Sequence, residues 1–374
     1  MARRRHRRQP DTVRVAALDI QHSYRRSAVV VGPVDLPAAD VLAERLVAMA
    51  RVGPEARIGL VPSTTSTRWR FAPASVCGAV HTTTLLPGSD PVDLVGRLQE
   101  LPESGVRVLA AEDHLAVDFS HGLGKIALLD LLLGVLLGVV DPADDAVWQP
   151  YRHRMSPLTS AALRALAPAP HRVLALLRRR RDHTGGTPAP PAPSVVVAPS
   201  TATRVLRIPA ETVEEFRRQR DSHLPAVSLF AVYTCALHEA FADAGFDVEP
   251  AVTLPVDVRR YLPPGRGVLG TFSAGLSFPV GGATGPRQLH DDLAAAARMA
   301  RPVANLMVGT VKAHAALRTR ARLRWAAPEQ PRMQLLHSSV GDVPRSPWTF
   351  SDPDRIDAAL TTVPARVRKL LAPG

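Results

Sequence analysis

The stretch of sequence that decides the fold runs Leu115-Ala-Val-Asp118-Phe-Ser120-His121-Gly122-Leu123-Gly124-Lys125-Ile126. Its first residues alternate in the manner of a strand, a polar turn with glycines follows, and an apolar helix begins at once. This pattern predicts that His121 lies at the rim of a sheet. An imidazole in that position can take a proton from a hydroxyl or amine and return it later. A structural interpretation stays open beside it, in which His121 caps the helix or bonds to backbone.

The segments on either side of this turn support the strand-turn-helix interpretation. Val106–Ala111 and Leu115–Phe119 are separated by Glu112-Asp113-His114 and predict a hairpin that ends at the turn. Asp113 and His114 are interpreted as turn residues. The almost uninterrupted Leu, Ile and Val of Ile126–Val140 predict a buried helix, since about 20 apolar residues are needed to cross a bilayer.

The length of the chain predicts two folded units. Its 374 residues suit two lobes of similar size, each with a substantial core. Gly, Pro, Ser and Ala crowd the middle of the sequence, where they are typical of an extended connector. We therefore expect a basic tail over residues 1–10, an N-terminal lobe over 11–181, a linker over 182–197 and a C-terminal lobe over 198–374.

The net charge of +12 calls for an explanation, and much of it is clustered. Such runs are commonly solvated faces or tails, and they also attract nucleic acid, anionic lipid, acidic proteins or phosphorylated cofactors. No zinc-finger spacing, aromatic RNA-binding strand or clear helix-turn-helix accompanies the charge, so nucleic acid is the weakest of these interpretations. Contact with a membrane surface stays open. The runs are Arg3, Arg4, Arg5, Arg7 and Arg8; Arg178 to Arg181; and Arg318, Arg320, Arg322 and Arg324.

The two cysteines, Cys77 and Cys235, lie far apart in apolar runs, which favours neither a disulfide framework nor a thiolate zinc site. A cytoplasmic location fits this usage. We find no metal-ligand spacing among His, Asp and Glu and no phosphate-binding glycine loop, so no metal and no permanently bound cofactor are predicted.

Three later segments, taken in order with the histidine turn, carry a resemblance. They are Asp257-Val-Arg259-Arg260-Tyr261-Leu262, then Gly270-Thr271-Phe272-Ser273, then Ser338-Ser339-Val340-Gly341. Together they resemble the characteristic segments of the condensation-domain and chloramphenicol-acetyltransferase-like superfamily, which includes polyketide-associated acyltransferases and wax ester synthases. The resemblance extends from about Val13 to Val343. It implies an α/β fold of two similar lobes, each a mixed β-sheet flanked by helices, with a tunnel between them. The chain after Val343 is short for this superfamily and leaves little length for the usual closing strands.

The histidine motif of that superfamily, two histidines, three variable residues, aspartate and glycine, falls on Ser120 to Ile126. The second histidine matches His121, and Ser120 replaces the first. Lys125 stands in place of the aspartate and Ile126 in place of the glycine. The family aspartate pairs with an arginine of the segment that here contains Arg259 and Arg260, so these two arginines are expected to support the turn. Lys125 would face them with like charge unless Asp118, Asp130 or Asp257 intervenes.

The resemblance implies acyl transfer in natural-product or lipid biosynthesis. An acyl-CoA or a phosphopantetheinyl carrier protein would donate the acyl group to an alcohol or amine, with His121 as general base. The positive charge suits a phosphorylated or acidic donor. Substrate contacts are expected from Ser120, Gly122, Lys125, Thr271, Ser273 and Ser338, and His337 is a further candidate.

Two other functions remain open from the sequence. One is a catalytically altered member of the fold that binds an acyl chain or carrier protein without acyl transfer, which Lys125 and Ile126 favour. The other is a basic binding protein outside this superfamily.

Overall fold

The computed structural model describes residues 11–85, 88–172, 176, 194–196, 206, 208–282, 284–319, 326–328, 332–339, 350–351 and 357–364. Within them the chain forms two larger mixed sheets with helices against them, as the sequence predicts. Two small sheets accompany these. One pairs β1 (Thr12–Arg14) and β3 (Leu60–Val61) with β4 (Arg68–Phe71), and the other pairs β8 (Ser194–Val196) with β11 (Ala326–Pro328).

The first large sheet carries the histidine turn. Its strands run in the order β13-β2-β7-β6-β5, antiparallel except for the parallel pair β5 and β6. Every residue of β7 is buried, because helices cover both faces of the sheet. The predicted hairpin of β6 and β7 is confirmed. The strands are β2 (Arg25–Gly32), β5 (Val80–Thr83), β6 (Val106–Ala111), β7 (His114–Ser120) and β13 (Asp357–Pro364).

The helices of this half explain that burial. Leu42, Leu46 and Met49 of α2 pack with the leucines of α4 in one core, whereas Leu94 and Leu98 of α3 cover the opposite face. The predicted buried helix is α4, and it ends where Gly138 adopts a left-handed conformation with φ 85°. The helices are α1 (Ala17–His22), α2 (Ala39–Val52), α3 (Asp93–Glu100), α4 (Ile126–Leu137), α5 (Asp145–Trp148) and α6 (Pro157–Leu166).

The second large sheet has the order β10-β9-β12, with β10 antiparallel and β12 parallel to β9. In β10 the residues Ala274, Leu276 and Phe278 are buried, while the alternate positions are more exposed. One face therefore packs on helices and the other carries Ser273. The strands are β9 (Val248–Asp257), β10 (Ser273–Pro279) and β12 (Met333–Leu336); the helices are α7 (Ala210–His223), α8 (Leu229–Asp243), α9 (Pro286–Arg298) and α10 (Arg301–Thr319).

A separate apolar cluster joins the two halves of the chain. Leu18 of α1 packs against it, and its members include Ala161 of α6, Phe272 and Val303 of α10. Because α1 and α6 belong to the first half and α10 to the second, this cluster fixes one half against the other.

One sequence prediction about the end of the chain needs correction. Little chain was expected for closing strands after Val343, yet β13 lies there and pairs over its whole length with β2 of the first sheet. The predicted bounds of the two lobes stay a prediction. The edge strand of a sheet has unpaired backbone N–H and C=O groups, and a segment from any part of the chain can pair with them. The position of a segment in the sequence therefore does not show which edge it will pair with. Within the predicted linker, residues 194–196 form β8; the rest of 182–197 lies outside the described residues.

Candidate functional site

His121 follows the last residue of β7 and is held by β2. Its backbone N–H donates to the carbonyl of Arg25 at 2.8 Å, and its Nδ1 lies 2.6 Å from the hydroxyl of Ser27. The ring of His22, the last residue of α1, contacts it edge-on with 5.3 Å between ring centroids. The prediction that His121 sits at the end of a strand is confirmed, and the imidazole has fixed neighbours on two sides.

The electrostatic surroundings keep His121 uncharged. Burial, and then the positive charge of Lys125 with smaller contributions from His22 and Arg25, lowers the pKa of His121 from 6.5 to about 3. Burial, with Lys125 and Arg25, also lowers the pKa of His22 to about 4. At neutral pH both rings are therefore neutral, and His121 has a lone pair with which to accept a proton.

The turn after His121 depends on two small residues. A Cβ on Gly122 would lie 2.4 Å from the carbonyl oxygen of Asp19, and one on Gly124 would lie 2.9 Å from that of Leu269. Both positions therefore exclude a side chain unless backbone moves. Gly122 lies close to Asp19 and Ser23 at the end of α1, and its contact with substrate stays a prediction.

An ion pair that the sequence did not suggest holds the turn. Arg57 donates to the carbonyls of Gly122, at 2.9 Å, and Leu123, and its guanidinium lies 2.8 Å from the carboxylate of Asp19. Asp19 is buried and also accepts the backbone N–H of Thr271 at 2.9 Å. This pair ties the histidine turn to the second half of the chain.

Arg259 and Arg260, predicted to support the turn, make other contacts. Arg259 donates to the carbonyl of Val268 at 2.8 Å and pairs with Asp257 at 3.1 Å. Arg260 is exposed, and its guanidinium carbon lies 5.8 Å from the ring centroid of Tyr261. The supporting function falls instead to the pair of Arg57 and Asp19.

Lys125 turns inward and reaches across to β10. Its Nζ donates to the hydroxyl of Ser273 at 2.6 Å, and its backbone N–H donates to the carbonyl of Leu269 at 3.2 Å. Burial, and then the charge of Arg259, lowers the pKa of Lys125 from 10.5 to about 8, with an opposing effect of Asp257. The predicted like-charge neighbour is thus present, and of the three carboxylates considered Asp257 is the one that partly offsets it, together with Asp19.

The remaining residues predicted to contact substrate lie in different parts of the fold. Ser120 is buried, with its hydroxyl donating to the carbonyl of Ser23 at 3.3 Å. Thr271 is buried two residues before Ser273. Ser338 is exposed after the end of β12. The ring of His337 stacks on Phe230 and bonds to Thr234, so its contacts lie within the second half.

Asp118, another carboxylate considered for Lys125, has two other partners. It is fully buried and accepts two hydrogen bonds from each of Arg26, on β2, and Arg107, on β6. It therefore clamps three neighbouring strands immediately before the histidine turn.

The surface arginines can be placed only in part. Arg318 lies in the last turn of α10, whereas the other arginines of the three basic runs lie outside the described residues. Within the described ranges no group of three or more metal-ligating side chains could hold a metal ion. In that same part of the chain no helix is long and apolar enough to cross a membrane.

Four residues that contact His121 or hold its turn were not predicted from the sequence: His22, Asp19, Arg57 and Ser27. The register between β2 and β7 could have indicated that Ser27 lies near His121. Arg25 lies opposite His121, and Ser27 lies two residues along on the same face, within reach of a long side chain. His22 and Asp19 lie in α1, a six-residue helix that was not predicted from the sequence.

Comparison with known proteins gives a structural likeness only. No protein-family model matches the chain, and no curated protein matches its sequence. Among solved structures it is similar to polyketide synthase associated protein 5 from Mycobacterium tuberculosis, with 15% identity, a TM-score of 0.51 and coverage of 94% of this chain and 86% of that one.

Two further structures extend the likeness. TRI101 of F. sporotrichioides, complexed with coenzyme A and T-2, has 12% identity, a TM-score of 0.55 and coverage of 93% and 89%. The trichothecene 15-O-acetyltransferase of Fusarium sporotrichioides has 10% identity, a TM-score of 0.52 and coverage of 87% and 79%. The α/β fold expected from the resemblance, with mixed sheets flanked by helices, is confirmed, and it is similar to the fold of these solved structures.

Proposed function

We propose, on the premise of this fold, that the protein transfers an acyl group from a thioester of coenzyme A or of a carrier protein to an alcohol or amine. The observation that carries the proposal is the position of His121, neutral and fixed by Ser27 at the point where the two halves of the chain meet. The solved relatives include an O-acetyltransferase and a coenzyme A complex, which support a thioester donor.

His121 acts as the general base in this proposal. With the Nδ1 proton donated to Ser27, Nε2 is free to take the proton of the attacking hydroxyl or amine. The oxygen or nitrogen of the acceptor bonds to the thioester carbon, the carbon–sulfur bond then breaks, and the imidazolium returns its proton to the leaving thiolate. No covalent enzyme intermediate forms.

The low pKa of His121 is compatible with this route. The positive charges of Lys125 and Arg25 disfavour the imidazolium, yet the same charges favour the negative tetrahedral intermediate. The proton therefore resides on His121 only briefly, between the acceptor and the thiolate.

Replacement of His121 tests the proposal. His121→Ala should lower kcat/KM for thiol release from acyl-CoA in the presence of alcohol or amine acceptors by roughly 10²- to 10⁴-fold, the usual contribution of a general base. Free thiol is measured with a chromogenic disulfide, and product by mass spectrometry. His223→Ala, in the exposed last turn of α7, is the matched control and should retain full activity. Unchanged turnover in His121→Ala would contradict the role of the imidazole.

The donor site is expected to favour negative charge. Arg318 of α10 and the neighbouring basic run would attract the phosphates of coenzyme A or an acidic carrier protein. Such attraction weakens as salt is added, because exposed charges are screened over about 10 Å at 0.1 M ionic strength.

A further inference from the structure

Lys125 is a partly buried cation that lacks an ion-pair partner in the described part of the chain. Its Nζ bonds to the neutral hydroxyl of Ser273 at 2.6 Å. The chain has three lysines, Lys125, Lys312 and Lys369, among 46 basic residues. A compact ammonium at a largely enclosed position costs free energy unless an anion accompanies it.

The charged groups around Lys125 leave the site positive. Arg259 and Arg25 lower its pKa, whereas Asp257 and Asp19 raise it. Both carboxylates have other partners, however. The side chain of Asp257 is 58% exposed and pairs with Arg259, and Asp19 is held by Arg57 and Thr271. The neighbouring rings of His22 and His121 are neutral at pH 7.

Polar atoms near this cation also lack partners among the described residues. Thr271 Oγ1 is buried without a hydrogen bond, two residues from the serine that Lys125 contacts. His22 Nδ1 and Arg259 Nη2 are buried and unpartnered as well. Buried polar groups normally find partners, so several orphans around one ammonium indicate a site for a polar ligand group.

We propose that Lys125, with Ser273 and Arg259, binds a free carboxylate carried by one of the two substrates close to its reacting atom. This inference rests on the proposed acyl transfer and adds the chemical class of its substrate. The carboxylate belongs either to the acceptor, as in a hydroxy acid or amino acid, or to the acyl group, as in the monothioester of a dicarboxylic acid.

The ligand carboxylate would neutralise the buried ammonium and accept its protons. Hydrogen bonds to charged groups contribute about 1.5–3 kcal/mol, so a neutral amide of the same shape should bind roughly 10- to 100-fold more weakly. By linkage, a carboxylate that binds the protonated amine raises its pKa.

Nuclear magnetic resonance of the full-length protein labelled with carbon-13 lysine tests binding without turnover. Three lysine Cε signals are expected, and the one lost in Lys125→Gln belongs to Lys125. At constant ionic strength, lactate should shift this signal saturably and raise the pKa of Lys125 above about 8, while lactamide should not. The exposed Lys312 is the internal control. The same titration is made with succinyl-CoA against butyryl-CoA, and the inference is overturned if neither acid shifts the Lys125 signal more than its neutral counterpart and chloride do.

Activity assays then identify the source of the carboxylate. Lactate against lactamide as acceptor with acetyl-CoA, and succinyl-CoA against butyryl-CoA as donor, should show a preference for the acid in one pair. Lys125→Gln should abolish that preference. If His121 supports acyl transfer but no carboxylate affects Lys125, the inference fails and the proposed function stands. If lactate titrates Lys125 but His121→Ala leaves thioester turnover unchanged, the proposed function fails and the anion site stands.

Discussion

At the scale of the residue, two buried histidines make stability depend on pH. His22 and His121 have pKa values of about 4 and 3 in the folded protein, against 6.5 when exposed. Between pH 6.5 and about 4 the unfolded chain binds more protons than the folded one, so the free energy of unfolding should decrease as the pH falls through this window. Above pH 6.5 neither group contributes to the slope.

Urea denaturation at a series of pH values measures this effect. His22→Gln, which cannot titrate, should flatten the slope between pH 6.5 and 4 relative to the wild type. The matched control is His223→Gln, because that histidine is exposed at the end of α7 and should leave the slope unchanged. Equal slopes for wild type and His22→Gln would contradict the assigned burial of His22.

The residues of the site were only partly predictable. His121 follows from a local pattern, since alternation, a glycine turn and an apolar run lie together in sequence. The replacement of the motif aspartate by Lys125 was also visible in the sequence. The inward direction of the Lys125 side chain was not, because it depends on Ser273, 148 residues away in sequence. Asp19 and Arg57 act through the backbone of residues far along the chain, and no local pattern encodes such contacts.

At the scale of the element, β7 is held by one buried carboxylate between two arginines. Asp118→Ala would leave Arg26 and Arg107 buried without their counter-charge, which should cost about 3–5 kcal/mol of stability. Guanidinium denaturation measures the loss. Asp145→Ala removes the half-exposed ion pair with Arg152 and should cost at most about 1 kcal/mol. A similar small loss in both variants would show that the buried cluster does not stabilise the strand.

Element prediction succeeded where periodicity is long and failed where elements are short. Helix α4 has 12 residues in a continuous apolar pattern, and it was predicted. By contrast, the short helix α1 (Ala17–His22) was not predicted. A six-residue helix is too short to form by propensity, and here the packing of Leu18 and the contacts of Asp19 stabilise it.

At the scale of the whole molecule, the resemblance of the sequence to acyltransferases predicted the two-lobed fold. The contacts that join the two halves were identified only in the structure. Leu18 and Val303 share an apolar cluster, Asp19 holds the N–H of Thr271, and Lys125 holds Ser273. Asp19 shares α1 with His22, whose ring contacts His121, and Lys125 lies close enough to lower the pKa of His121. The relative position of the halves therefore determines what the imidazole can reach.

The last described strand supplies a further connection, and its removal should affect the site. Strand β13 pairs with all eight residues of β2, from Arg25 to Gly32. Without it, a buried valine-rich strand would become a free edge, and such edges pair with other chains. The same strand carries Ser27 and the Arg25 carbonyl that hold His121.

Truncation of the chain separates these effects. A protein that ends at residue 351 should show a lower Tm, more aggregate in size-exclusion chromatography and reduced His121-dependent activity, because β2 loses its outer partner. A protein that ends at residue 364 keeps all of β13 and is the matched control, so its Tm should equal that of the full chain. If both truncated proteins unfold at the temperature of the full chain, β13 does not stabilise the first sheet, and the position of His121 depends on the pairing of β2 with β7 alone.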